Sequence, residues 1–485
     1  MSEPKQDAVL AIDLGSTHLK AALFDAALRQ WACCSVPVIY VFGPGGRVEL
    51  PAAAFVAAMG EIIGGCLSQA PGTILRAVAI TSQAQTFTLA DETGQALMPF
   101  VSWQDHRSGP AATALKEAAG MDEFHRHSSF DTPLPALQIS QLRRLRDERP
   151  DLLRTARRVL HLPTFLVQAL TGEAAIDNNL AAMSGLFSLE LNDWWPAALS
   201  AAGVEPSQMP RVVPIGTSAG QTTSRAAAFG LPAGIPVILA GNDQTAGALG
   251  AGIQGKDALL LTLGTAQVAY ATTPQLADPA PGLIRGPFPG GLAYRMAADS
   301  CGGNLINWAQ TVIAGAATDA RFFELAASAA PGCHGLRFEP DLTTCAGAWQ
   351  NLGMHHHPAD FARSVLEALC VRMERMIQQL GVGWPPPGGH VLAAGGGSAS
   401  ALWLDMLSAR LGCEIRSTCR TPLDGAAALT FGVFVAKDEE ERQSRVRKPY
   451  FVFPLHLSTL SVHYGGRECP YGHTTNGILP DQGRL

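Results

Sequence analysis

"AIDLGSTHLKAALFD", Ala11 to Asp25, sets an acid, a glycine and two hydroxyls between two apolar runs. A turn between buried strands aims backbone N–H groups into one concavity. Gly15 lets a ligand come close, and Ser16 and Thr17 add donors, so the nest suits phosphate oxygens. Asp13 cannot favour an anion by itself; it makes sense there as a holder of Mg²⁺ that bridges to the phosphates. Lys20 adds positive charge if it faces the same way. A plain hairpin, whose turn prefers Gly, Ser and Thr, accounts for the same residues.

"LTLGTAQVAYATT" repeats the design, with Gly264 and Thr265 at the tip. Two such clamps would grip a nucleotide tail from both sides; a plain hairpin again fits. In "AGNDQTAGALGAG", Asp243 falls where a strand gives way to a helix. A helix N-cap is one reading. A carboxylate that takes a proton from a hydroxyl nucleophile is the other. The helix behind it is built largely from Ala and Gly, small enough for another backbone or a ligand to come near. "HVLAAGGGSASALWLDML" feeds a strand into Gly395, Gly396 and Gly397 and then a helix, bare backbone on which a planar group can lie. It lacks the G-x-G-x-x-G spacing of a dinucleotide fold. "VSWQDHRSG" offers Trp103, Asp105 and Arg107, which suit a polyhydroxylated substrate, or equally a surface salt bridge beside a packed indole. His355 to His357 could hold a metal, though an exposed loop cluster explains them as well.

The elements that must position these groups follow from periodicity. Val9–Asp13 and His18–Phe24 read as strands around the first turn, and the hairpin pattern continues from Asp25 towards Val41. Gly43–Leu50 reads as a loop and Pro51–Ala70 as a helix. Arg76–Thr81, Thr86–Leu89 and Pro236–Ala240 read as strands, and Ala111–Ser200 as mostly helical. The pattern then restarts: Ala258–Leu263, a turn, and Gln267–Thr272. Phe361–Leu380 is an amphipathic helix, broken by "PPPGG" at Pro385–Gly389. His390–Ala394 is a strand and Ala401–Leu411 a helix. Two hairpin-bearing halves, each followed by helices, predict a duplicated α/β design with a cleft between the halves, where small ligands usually sit.

The chain has 485 residues, too many for one ordinary core. A net charge of -6 without a basic stripe argues against a nucleic-acid partner. The apolar runs are broken by Gly, Pro or charge before membrane-spanning length, and "MSEPKQD" is no signal peptide, so a cytoplasmic protein away from membranes is expected. The 10 cysteines include the adjacent Cys33 and Cys34 but no C-x-x-C pair, as for reduced thiols. From "KDEEERQSRVRK" the period fades, and 437–485 reads as a peripheral appendage.

Taken in order, these pieces resemble the FGGY family of carbohydrate kinases, of the actin-like ATPase superfamily, from about Val9 to Ala436. "AIDLGSTHLKAALFD" and "LTLGTAQ" look like its phosphate motifs. "ITSQAQTFTLADETGQALMPFVSWQDHR" looks like its sugar-contacting segment, "GNDQTAGALGAG" like the segment of its general base, and "CGGNLINW" and "AAGGGSASALWLDMLSARLG" like its cleft and adenosine segments. The resemblance implies two actin-like (ribonuclease H-like) α/β domains, 1–245 and 246–436, closing over ATP, Mg²⁺ and a sugar or polyol, with a homodimer as the expected assembly. It puts the base on Asp243 and the cation on Asp13. Phosphate and nucleotide contacts fall on Gly15, Ser16, Thr17, Lys20, Gly264, Thr265, Gly395, Gly396 and Gly397. Substrate contacts fall on Gln83, Trp103, Asp105, Arg107 and Gln244.

This chain departs from the pattern in places. Ala266 stands where the second phosphate motif commonly has Ser, Ala84 and Gln85 follow Gln83, Gln141 replaces a lysine of xylulokinase-like members, and a Gly-Glu-Arg loop is missing between Pro340 and Pro358. A ketose kinase for xylulose or sedoheptulose is the expected activity. A glycerol or polyol kinase, and a binding protein that has lost turnover, are the alternatives.

Overall fold

The computed structural model describes residues 7–118, 120–253, 258–314, 319–341, 346–382 and 390–432. The appendage assigned to 437–485 and the "PPPGG" break lie outside them.

The strand Asp7–Leu14 is buried from Ala8 onward. A strand covered on both faces reads as a continuous apolar run, as this one does. It turns back as His18–Phe24, with Ala11 opposite Ala22 and Asp13 opposite Lys20. Gln30–Pro37 extends the meander on that side. On the other side Ile74–Ser82 and then Pro236–Asn242 join in parallel. Ser218–Gln221 closes this six-stranded sheet. A parallel partner needs a long crossover, and Ala52–Gln69 supplies its helix, burying Phe55, Met59, Ile62, Ile63 and Cys66 on one stripe. Contrary to the sequence expectation, this helix is long and apolar enough to cross a membrane by length and composition. Its buried stripe belongs to the core under the first sheet.

The second half repeats the plan. Ala258–Leu263 pairs antiparallel with Gln267–Thr273, which pairs with Leu292–Asp299. His390–Ala394 and Ile415–Ser417 follow in parallel on the other side. Ile284–Phe288 adds a sixth strand outside Leu292–Asp299. Leaving out that strand in the second sheet and Ser218–Gln221 in the first, both sheets run third, second, first, fourth, fifth. The helix Pro358–Gln379 covers the second sheet with Val365, Leu366, Leu369, Met373 and Ile377.

Some local expectations fail. Gly43–Leu50 is not all loop: Arg47–Leu50 is a strand in a five-stranded sheet with Val41–Gly43, Phe100–Val101, Phe87–Ala90 and Arg158–His161. Val48 and Leu50 point inward there, and the pairing with Phe100–Val101 is what makes the segment extended. The stretch from Ala111 to Ser200 carries helices but also the short strands Arg158–His161, Ala175–Asp177, Phe187–Ser188 and Asp193–Trp194. The last described helix, 422–432, returns to the first sheet, where Leu423, Ala426 and Ala427 pack against Val9, Ala11 and Ala79.

Candidate active site

The first hairpin turn is shaped by what Gly15 must avoid. A Cβ there would lie 2.7 Å from the His18 carbonyl oxygen. Gln83 holds the turn from the neighbouring strand end: its backbone N donates to the Leu14 carbonyl (2.9 Å) and its Nε2 to the Gly15 carbonyl (3.1 Å). Ser16 is half-buried and Thr17 exposed, and neither hydroxyl has a hydrogen-bond partner among the described residues. Asp13, one residue before the strand ends, is 5% exposed. Its Oδ1 is buried without a partner. Burial first, and the charge of Asp243 second, push its carboxyl up to about 7 against the pull of Lys20.

Asp243 opens the helix Asp243–Gly250 directly after the strand Pro236–Asn242. Asn242, not Asp243, caps that helix, its side chain accepting from Thr245 N at 2.9 Å. Asp243 is thus spared the capping role and stays partly exposed. Burial raises its carboxyl to about 6, opposed by the N–H groups of Gln244 and of Asp243 itself. The turn before it is fixed from several sides. Gly241, at φ +74°, has no room for a Cβ, which would meet Ile215 Cδ1 at 2.5 Å. The Gly241 carbonyl accepts from Thr81 Oγ1 (2.9 Å), and its N donates to buried Asp177 (3.3 Å). Gln244 reaches the second sheet, where its Oε1 accepts from Thr262 Oγ1 at 3.1 Å. The small residues of this helix admit a backbone: a Cβ on Gly425 would lie 1.8 Å from the Ala246 carbonyl oxygen.

The second hairpin tip, Gly264–Thr265, is enclosed by glycines from two other segments. A Cβ on Gly395, at φ +88°, would sit 2.8 Å from the Leu263 carbonyl oxygen. A Cβ on Gly397 would meet the Trp403 ring at 2.3 Å, whereas Gly396 faces open space. Gly303 N donates to the Gly264 carbonyl at 2.7 Å, and Gly302 has no room for a side chain against the same tip. Gly302 and Gly303 entered the sequence reading only as part of a longer resemblance. Their adjacency before a helix was the available signal.

On the sugar-contacting segment, Gln83 Oε1 accepts from Thr86 Oγ1 (3.2 Å), which in turn accepts from Trp103 N (3.2 Å). One chain of bonds therefore runs from the Gly15 turn to Trp103, whose side chain keeps exposed surface. Asp105 is fully buried. It accepts from Val48 N, from Arg107 N and from the Arg107 guanidinium. Burial alone would raise its carboxyl; the guanidinium and those N–H groups outweigh it and hold it below the ordinary range. Arg107 also reaches Glu49 at 2.6 Å. Asp105 therefore anchors Arg107 and the Arg47–Leu50 strand, and of the three side chains expected to meet substrate here only Trp103 and Arg107 keep accessible surface.

The structure thus links Asp13, Gln83, Trp103 and the first turn on one side, and Asp243, Gln244 and the second hairpin strand on the other. No hydrogen bond joins the two hairpin tips among the described residues. His355–His357 belong to no group of three or more potential metal ligands there. The sequence reading missed Asp177, Asn179 and Asn242, polar residues whose burial shows only in the fold.

Residues 8–250 match the N-terminal domain of the FGGY family of carbohydrate kinases, and residues 259–431 match its C-terminal domain. L-fuculokinase of Escherichia coli (strain K12) is 26% identical over 471 residues, covering 93% of this chain and 97% of its own. The ligand-bound xylulose kinase from Lactobacillus acidophilus has a TM-score of 0.83 at 19% identity, covering 89% of this chain and 90% of its own. Plasmodium falciparum glycerol kinase with ADP has a TM-score of 0.79 at 16% identity, covering 92% and 94%. At these identities the two structures show the shared fold.

Proposed function

Since the chain belongs to the FGGY family of carbohydrate kinases, and is a phosphotransferase with an alcohol group as acceptor, we propose that it phosphorylates a ketose hydroxyl with ATP, using Asp243 as general base. The observation that carries this reading is the placement of Asp243: at a strand end, spared from capping, partly exposed, and with a carboxyl raised to about 6. A base of that strength is ionised at neutral pH and still accepts a proton as a hydroxyl attacks.

In the step itself, the sugar oxygen bonds to the γ-phosphorus and the bond to the bridging oxygen breaks. ADP leaves, and the hydroxyl proton passes to Asp243. Little covalent chemistry falls to the protein, so positioning and charge neutralisation supply most of the rate. Ser16, Thr17, Lys20 and the backbone around Gly15 would hold one side of the phosphate tail, and Gly264 and Thr265 the other. Gly395–Gly397 would support the adenosine. Trp103, Arg107, Gln83 and Gln244 would orient the sugar, with Asp105 behind Arg107. The reading divides the catalytic part into lobes 1–245 and 246–436.

Asp13 fits a divalent cation. Its buried Oδ1 has no partner and its charge is disfavoured where it stands. A bound Mg²⁺ would neutralise phosphate charge during transfer. Since no group of three or more His, Cys, Asp or Glu among the described residues could hold it, phosphate oxygens and water would complete the shell.

L-fuculokinase and xylulose kinase are both named for ketoses, which supports that substrate class. Under the same reading the protein is a cytoplasmic homodimer with small-molecule partners, away from nucleic acid and membrane. Coupled ADP release with xylulose, fuculose, sedoheptulose, gluconate and glycerol tests the substrate. Turnover with a ketose at least tenfold above the others is expected, and turnover with glycerol alone would move the reading to a polyol kinase. One observation favours a binding protein without turnover, the missing hydroxyl at Ala266. Sugar binding with no ADP above background would select it.

A further inference from the structure

Asn179 is fully buried between the two halves. Its Oδ1 accepts from Asn242 N (2.9 Å) and from Asn242 Nδ2 (2.8 Å), and its Nδ2 donates to Thr245 Oγ1 (3.0 Å) and to the Pro287 carbonyl (2.8 Å). Both donors and both acceptor positions of the amide are therefore used. Asn242 and Thr245 flank Asp243 and Gln244 in the chain. Pro287 belongs to the second sheet. So does Tyr270, whose hydroxyl lies 2.8 Å from Thr245 Oγ1 and whose ring stacks on Tyr294 at 5.3 Å. The space is tight: a Cβ on Gly241 would come within 2.8 Å of Asn179 Oδ1.

We propose that Asn179 is a positioning residue that clamps the Asp243 turn to the second half of the molecule, fixing the base relative to the hairpin that faces it from there. The proposal rests on the reading of Asp243 as base. Only a polar group with two donors and two acceptors at this point satisfies Asn242, Thr245 and Pro287 together, and a small displacement of a base costs rate rather than affinity. Asn179 touches no reacting atom in this account; it acts through Asp243.

The test is a cycle on the full chain: wild type, Asn179→Ala, Asp243→Asn and the double variant, assayed by sugar-dependent ADP release with whichever sugar of the panel turns over. Asn179→Ala is expected to lower kcat by about 100-fold, with KM for sugar and for ATP within threefold of wild type. In the Asp243→Asn background it is expected to have no further effect, since a residue acting through the base has nothing left to act on. If Asn179→Ala lowers the residual rate of Asp243→Asn by the same factor as in wild type, or leaves kcat unchanged, the proposal is overturned. If Asn179→Ala does not yield folded protein, Tyr270→Phe carries the same test, because it removes one hydroxyl from the clamp and keeps the ring. A several-fold drop in kcat with unchanged KM supports the proposal, and wild-type kcat overturns it. The two readings fail separately. Wild-type turnover in Asp243→Asn defeats the base assignment, whereas loss there with full kcat in both clamp variants defeats the clamp alone.

Discussion

Asp13 and Asp243 flank one strand, Ile74–Ser82, at the same end: Thr81 pairs with Asp13 in one ladder and Ser82 with Asn242, the residue before Asp243, in the other. Each lies in a setting that disfavours its charge, and for Asp13 the negative charge of Asp243 is part of the cause. Such a pair of carboxylates is unfavourable by itself, and under the proposed reading a cation at Asp13 and a proton taken up by Asp243 would relieve it.

The rate should report the titration of Asp243. Burial raises its carboxyl to about 6, and only the ionised form accepts a proton. Sugar-dependent kcat is expected to fall as pH drops through about 6, approaching tenfold per pH unit below it. A pH–rate profile at saturating substrates checks this. A rate that stays flat down to pH 4.5 contradicts it.

Stability of the ligand-free protein should move the other way. Asp13 titrates at about 7 in the fold against an ordinary value of 3.8. The folded state therefore binds more protons than the unfolded chain between those values. The contribution is fully present below pH 4 and is lost as pH rises through 7. Asp13→Asn removes that loss, so its thermal midpoint should exceed that of wild type by more at pH 8 than at pH 5. Thermal unfolding at the two values decides. An equal difference at both would place Asp13 in an ordinary carboxylate environment.

The glycine turn makes a paired prediction. Gly395→Ala meets the Leu263 carbonyl at 2.8 Å from a left-handed backbone, a strain of about 1–3 kcal/mol. It should lower the thermal midpoint and raise KM for ATP about tenfold, equivalent to about 1.4 kcal/mol. Gly396→Ala points into open space. It should leave the midpoint unchanged and still raise KM for ATP, because the added methyl stands where the nucleotide is proposed to lie. Unchanged KM for ATP in both variants would remove the nucleotide from this turn.

Ala266 offers a gain of function. Its carbonyl accepts from Gly264 N at 3.1 Å, a backbone bond that a serine keeps. Ala266→Ser adds a hydroxyl donor at the second tip, and hydrogen bonds to charged groups are worth about 1.5–3 kcal/mol. KM for ATP should fall about tenfold in steady-state kinetics. An unchanged or raised KM would mean that the phosphate tail does not pass this residue.

Both hairpins and the junction at Asp243 were legible in the sequence because they are local: apolar runs, a turn with Gly and hydroxyls, an acid where the period changes. The Ala/Gly helix after Asp243 was legible as a close contact, though not which contact; its partner, Gly425, lies far along the chain. Arg47–Leu50 was hidden by the glycines before it and by its dependence on Phe100–Val101 for pairing. Asp105 looked like a ligand for sugar, yet its burial against Arg107 and Val48 N appears only once the small sheet forms. The clamp at Asn179 was beyond reach for the same reason, since Asn242 is 63 residues away and single buried amides leave no periodic trace.

The most direct test of the account is Asp243→Asn, which keeps the shape of the side chain and removes the base. We expect sugar-dependent ADP release to fall by about 10²–10⁴-fold, while ATP affinity, measured by nucleotide titration, stays within about threefold of wild type. Sugar-dependent turnover at the wild-type rate in this variant would contradict the central claim.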